Sequence, residues 1–293
     1  PAEQRRRWGP ALADGTYTLA FGTPDPDAGS NSPRISPPAR RDGSDWLLSG
    51  QKVFISGVDQ ADSVLIVART EDARTGTLKP ALFVVPTDAP GFSRTMIDME
   101  LLNPEKQFQL FLDDVRLPAD ALIGDEDAGL AQLFAGLNPE RIMAAASGIG
   151  LARYALDKAV DYVKDRTVWK APIATHQAIA HPLAQCKIEI EMAKLMMQKA
   201  AVLYDSGDDR GAAEAANMAK YAAGEACVKT VDQAVHSLGG NGLTAEYGLA
   251  SALALARITR IAPVSREMIL NFVAQTALGL PKPRCGRTST REC

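Results

Sequence analysis

The chain has 293 residues, 46% of them hydrophobic and 23% charged, which suits a folded soluble protein of about two domains and excludes a low-complexity or disordered one. Its 32 basic and 35 acidic side chains leave a formal net charge of -3, so no overall field draws it to nucleic acid or an anionic membrane, and an anionic ligand must be held by local groups. No stretch approaches the roughly 18 uninterrupted apolar residues of a membrane span, and the four cysteines, Cys186, Cys227, Cys285 and Cys293, have neither CxxC spacing nor a disulfide pattern, which fits a reducing cytoplasm.

The chain opens on a helical-looking segment, Ala2 to Leu12, with Arg5, Arg6 and Arg7 but without the apolar core of a signal peptide. From about 14 to 120 it is rich in Gly, Pro, Asp and Ser and carries β-type runs at 17–21, 46–48, 53–55, 64–68, 82–85 and 108–112, which predict a small antiparallel β domain. The stretch from Pro24 to Asn31 reads as a rigid, turn-rich loop after a strand. Alternation along the strand through Phe54, Ile55 and Ser56 puts Phe54 and Ser56 on one face. An aromatic and a hydroxyl there can cover a flat ring and bond its edge, although Phe54 taken alone reads as core.

From about 124 the pattern changes to apolar spacings of three and four through Ile142, Ala146, Ile149, Ala152, Leu156, Ala159, Val160 and Val163, which predict a long amphipathic helix. Asn138-Pro139-Glu140 reads as its start, with Asn138 as N-cap, Pro139 in the first helical position and Glu140 where the helix dipole favours a carboxylate. Arg166 and Trp169, one helical turn apart, can grip a phosphate beside an apolar plane or simply finish the helix. Further helices are predicted over 176–206, 210–237 and 244–277, so that 124–280 forms an antiparallel four-helix bundle. The Gly239-Gly240-Asn241-Gly242 turn between two of them either caps a helix or offers backbone N–H groups to an anion. The tail, 281–293, lacks periodicity and is expected to be disordered. The fold class is thus α+β, an antiparallel β-barrel-like middle domain followed by a helical bundle.

His176, His181 and His236 lack metal-ligand spacing, no GxSxG elbow occurs, and no GxGxxG follows a strand. Basic residues are scattered without aromatic interleaving, which argues against a nucleic-acid face. Metal, serine-hydrolase, dinucleotide-fold and nucleic-acid readings all lack support.

In order along the chain, the loop Pro24 to Asn31, the run Gly50 to Gly57 with Ala61-Asp62, Asn138-Pro139-Glu140-Arg141, Arg166, Gln177 and Leu238 to Gly242 resemble the acyl-CoA dehydrogenase family over about residues 1 to 280. The resemblance implies an FAD enzyme that oxidises a saturated acyl-CoA to the trans-2-enoyl-CoA, with electron-transfer flavoprotein or a similar acceptor. It implies that β domain and bundle enclose the flavin between subunits of a homodimer or homotetramer. Phe54, Ile55 and Ser56 would then meet the isoalloxazine, Ser30 would sit where flavin and CoA approach each other, and Ser265 would also contact the cofactor. Arg166, Trp169, His176, Gln177, His236, Gly239 and Gly240 would meet the FAD of a neighbouring subunit, and Asn138 and Arg141 the substrate.

The family places its catalytic base either late, before a Gly-Thr-Ser-like turn, or early, in a Glu-Arg pair on the long helix. Here Pro263 stands at the late position and Glu140 at the early one, so the resemblance implies Glu140 as base. Pro263 also lacks the N–H that this backbone position would offer a thioester oxygen. Ala2 to Leu12 matches only the last helix of the family's N-terminal domain, so a shortened chain is expected. An alternative is an inactive flavin- or acyl-CoA-binding remnant that assembles with a full-length relative. Oxygen-using chemistry on the same fold is a further possibility.

Overall fold

The structure is a computed structural model that describes residues 2–29, 38–72, 75–101, 105–126 and 129–282. It divides into two compact units, Pro1–Leu137 and Asn138–Cys293.

The first unit begins with α1 (Ala2–Asp14) and contains β1 (Leu19–Gly22), β2 (Ala39–Asp42), β3 (Asp45–Ser56), β4 (Ser63–Glu71), β5 (Leu78–Pro86), β6 (Phe92–Ile97) and β7 (Gln107–Leu117). The strands form two open sheets, in the orders β1-β4-β5 and β2-β3-β7-β6. The barrel-like expectation is corrected to this extent: among the described residues neither sheet closes, and β1 pairs with β4 in parallel. Trp46, Leu48 and Ile55 of β3 pack with Ile66, Phe83 and Leu110 in one core, where the Trp46 and Phe83 rings meet edge to face at 5.3 Å.

β3 merges two runs predicted separately. Its pairing with β7 slips between Lys52 and Ile55, and Phe54 takes a left-handed φ of 56°. That bulge changes the strand's alternation. Lys52 and Ile55 are buried three residues apart while Phe54 and Ser56 face outward.

The helices of the second unit are the remainder of α2 (Gly129–Asp165), α3 (Gln177–Asp205), α4 (Asp209–Leu238), α5 (Leu249–Ile258) and α6 (Arg266–Phe272). Ala145, Ile149, Ala152, Leu156, Ala159 and Val163 give α2 one apolar stripe, which packs with Leu183, Cys186 and Ile190 of α3 and with the alanine-rich face of α4. Asp208 caps α4 by accepting the Gly211 N–H at 2.9 Å.

Two predictions need correction. The fourth helix is broken into α5, the turn from 259 to 265, α6 and a π turn, Val273–Ala277. Asn138 is not an N-cap: α2 already runs from Gly129, and Pro139 lies inside it. Leu133 and Leu137 explain the extension, because they pack with Val67 and Leu82 in the first unit and so sustain helix ahead of the proline. The tail beyond 282 and Ser30 lie outside the described residues. Among those described, no helix is long and apolar enough to cross a membrane, and no cluster of His, Cys, Asp and Glu could hold a metal ion.

Candidate active site

On the first unit the outward residues of β3 form one surface. Phe54 is 57% exposed, and Ser56 stands two residues on, its Oγ accepting a hydrogen bond from Gln107 Nε2 at 2.8 Å. An aromatic side chain held outward on a left-handed backbone is conformationally costly, so the surroundings must over-determine it. The Ile55 side chain is in the core, which leaves only its backbone to meet a ligand.

On the second unit the predicted residues fall into two groups. The first surrounds a polar cleft of about 520 Å³ lined by Lys158, Tyr162, Arg166, Asn241 and Tyr247 among others. Arg166 lies just past α2, its N–H bonded to the Tyr162 carbonyl at 2.9 Å, while Asn241 Nδ2 donates to Tyr162 Oη at 2.8 Å. Gly239, with φ at 59°, ends α4 and donates its N–H to the His236 carbonyl. Residues 75 positions apart in sequence thus share one cleft, in which Arg166 and Lys158 stand with the carboxylates of Asp161 and Asp165.

Trp169 is not one helical turn from Arg166. It sits at the tip of a hairpin formed by β8 (Thr167–Val168) and β9 (Ala171–Pro172), with φ at 52° and Lys170 at 68°. Two positive φ angles define the tight hairpin turn usually given to Asn-Gly, and Trp-Lys carries no such signal in the sequence. Trp169 is 83% exposed and meets His176 edge to face at 5.8 Å; Gln177 follows, exposed, at the start of α3.

The second group is built around Glu140 and Arg141. Arg141 is buried, donates from Nη1 to Asn138 Oδ1 at 3.2 Å, and has no partner for Nε among the described residues. Burial raises the Glu140 carboxyl above the ordinary carboxylate range, and the Arg141 charge partly opposes this. With burial the larger effect, the carboxylate is more basic than one in water.

Sequence reading missed Lys220 of α4. It is 2% exposed and donates from Nζ to the Val264 carbonyl at 2.6 Å, next to Pro263. Burial, and then the nearby Arg141 charge, push its ammonium down to about 8, while Glu267 works the other way. Glu225, one turn further, binds Arg260 Nη2 at 2.8 Å, and Ser265 caps α6 by accepting the Met268 N–H at 3.3 Å. The turn that carries Pro263 is therefore clamped to α4 by side chains. A signal did exist: Lys220 interrupts the apolar positions Ala216, Ala223 and Cys227 on one helix face.

Lys220→Met is expected to reveal this burial through pH. The folded pKa lies below the unfolded value of about 10.4, so the unfolded chain binds more protons between the two, and the lysine's burial penalty disappears as pH rises through that window. Denaturant unfolding of both proteins at neutral pH and near pH 10 checks it; the stability difference must move toward wild type at the higher pH.

The family model for the acyl-CoA dehydrogenase middle domain matches residues 20–115, and that for the C-terminal domain matches residues 127–278. The acyl-CoA dehydrogenase FadE12 of Mycobacterium tuberculosis is 70% identical over 280 residues, covering 96% of this chain and 72% of that protein. Among solved structures, butyryl-CoA dehydrogenase from Megasphaera elsdenii aligns with a TM-score of 0.88 at 29% identity, over 95% of this chain and 72% of its own. Glutaryl-CoA dehydrogenase from Mycobacterium smegmatis, in complex with FADH2, aligns with a TM-score of 0.86 at 29% identity, over 97% of this chain and 72% of its own. Two domain models in order and a relative matched along nearly the whole chain show that the chain belongs to the acyl-CoA dehydrogenase family.

Proposed function

We propose that this protein oxidises the Cα–Cβ bond of a saturated acyl-CoA thioester to the trans-2-enoyl-CoA, with FAD as cofactor and Glu140 as base. The observation that carries the reading is the half-buried Glu140 carboxyl, raised in pKa and adjacent to buried Arg141, in a chain whose other base position is Pro263. The residues present fit FAD. Phe54 and Ser56 offer an exposed ring and a hydroxyl for the flavin, and the cleft of Arg166 and Asn241 offers a cation and an amide for the dinucleotide; Trp169, His176, Gln177 and His236 are assigned to the same cofactor by the family resemblance. Ser30, outside the described residues, is assigned to the same cofactor and to CoA by the family resemblance.

When bound, FAD supplies the acceptor for the hydride that leaves the β-carbon. Glu140 takes the proton from the α-carbon, so the C–H bond electrons on that side become the new double bond. Partial burial strengthens Glu140 as a base, and the positive charge of Arg141 works the other way and favours its ionised form. Asn138 holds the guanidinium of Arg141, which fixes the charge next to the base.

The protein also works as a homodimer or homotetramer and passes electrons to electron-transfer flavoprotein or a similar acceptor. Ile188, Met192, Leu195 and Val202 support assembly, since they leave an exposed apolar stripe along α3 at spacings of four, three and seven. Steady-state turnover with a panel of acyl-CoAs and an artificial electron acceptor tests the reaction. Enoyl-CoA formation without hydrogen peroxide release is expected. Peroxide in step with product would instead assign an oxidase, and no product from any acyl-CoA would refute the activity.

A further inference from the structure

Lys52 is a lysine with 0% exposure, in the middle of β3. Its Nζ donates to Asp25 Oδ1 at 2.7 Å and to the Thr23 carbonyl at 3.0 Å; Asp25 itself is 2% exposed. The next residue, Val53, donates its N–H to the Pro24 carbonyl at 3.0 Å, and the Asp25 carbonyl accepts the Ala28 N–H at 3.3 Å to close the turn. Three bonds thus fasten the segment Thr23 to Gly29 along the strand at the point where pairing with β7 slips. One residue beyond stands Phe54, left-handed and outward.

A buried ion pair is a poor way to gain stability. Removing two charges from water costs several kcal/mol per ion, and well-packed apolar residues of the same volume usually stabilise a fold at least as well. Burial accordingly lowers the Lys52 ammonium to about 8 even with Asp25 beside it. What an ion pair supplies that an apolar pair does not is direction: a fixed ammonium specifies where each acceptor must lie. Here those acceptors belong to the loop, and the reward is a defined backbone on both sides of Phe54.

We propose that the Lys52–Asp25 pair is a positioning device that locks the loop from Thr23 to Gly29 onto β3 and holds Phe54 in its outward, left-handed conformation as the platform for the flavin ring. This rests on the reading of Phe54 as a flavin contact. Lys52 and Asp25 are positioning residues, since both are sealed from ligand.

The test separates stability from placement. Lys52→Met, Asp25→Asn and the double variant Lys52→Met/Asp25→Leu are compared with wild type for melting temperature, for FAD affinity by fluorescence titration, and for hydrogen exchange at the Val53 amide. Each single variant breaks the ion pair while leaving its other charge buried, and should melt lower. The double variant should regain the melting temperature yet bind FAD about tenfold or more weakly, a loss of roughly 1.4 kcal/mol, with faster Val53 exchange. Asp25→Glu, which keeps the pair, should restore both. Wild-type FAD affinity or wild-type Val53 exchange in the double variant overturns the proposal. If wild type binds no FAD, the flavin reading fails by itself, and the Val53 exchange still decides whether the pair fixes the loop. If the double variant does not fold, Asp25→Asn carries the same comparison: weaker FAD binding and faster Val53 exchange support the device, and no change in either overturns it.

Discussion

Glu140→Gln is expected to abolish acyl-CoA dehydrogenation, with a loss in kcat of about 10³-fold or more, while making the protein more stable at neutral pH. Both effects come from one feature. The carboxyl is partly desolvated, which raises its pKa and its basicity, and glutamine keeps the shape of the side chain without accepting a proton from carbon. The stability effect has a definite sign. With the folded pKa above the unfolded value of about 4.3, the native state binds more protons than the unfolded one between the two, so stability falls as pH rises through that window. The penalty is complete above the folded pKa, and glutamine removes it there. Thermal melts should therefore place the variant above wild type at pH 7 and bring the two together near pH 4. The acidic limb of kcat/KM for wild type should lie above the ordinary carboxylate range for the same reason. A variant that melts below wild type at pH 7 would mean that the carboxylate is a structural partner rather than a poised base.

The second large effect is expected in the glycine turn after α4, where neighbouring glycines have different duties. A Cβ on Gly242 would stand 2.5 Å from the Val235 carbonyl oxygen and 2.9 Å from its Cα. Backbone cannot retreat as a side chain does, so Gly242→Ala should destabilise the protein by about 1–3 kcal/mol and pull the turn away from the Arg166 cleft. Gly240 has no atom within 4 Å of such a Cβ and no positive φ. Gly240→Ala should fold like wild type. If a dinucleotide approaches that backbone closely, the same substitution should still weaken FAD binding by about tenfold. Melting temperature and FAD titration of both variants separate a folding glycine from a binding one, and equal FAD affinity in Gly240→Ala and wild type would remove Gly240 from the cofactor site.

The regular elements that build the fold were legible because their periodicities are clean. Alternation along β7, the continuous apolar runs of β4 and β5, and the three-and-four spacing of Ile149, Ala152, Leu156 and Ala159 on α2 follow directly from which faces are buried. What escaped reading depends on contacts distant in sequence. Helix ahead of Pro139 is sustained by Leu133 and Leu137 against β4 and β5, contrary to the local cap signal of Asn138-Pro139. The Trp169-Lys170 hairpin uses side chains that no turn rule favours. Of the site, Phe54 and Ser56 were read correctly as facing one way, yet the reason for Phe54's exposure lies in a bulge and in Lys52, a charge that reads as solvated until its partner Asp25 is found 27 residues away. Lys220 was hidden likewise, since its acceptor, the Val264 carbonyl, is 44 residues distant.

The most direct measurement is an anaerobic titration of the FAD-reconstituted protein with a panel of acyl-CoAs while flavin absorbance is followed, for wild type and Glu140→Gln side by side. Bleaching of wild type by at least one acyl-CoA, with none in the variant, is the expected result. Flavin that binds but is bleached by no acyl-CoA would contradict the dehydrogenase activity, and equal bleaching in the two proteins would contradict Glu140 as the base.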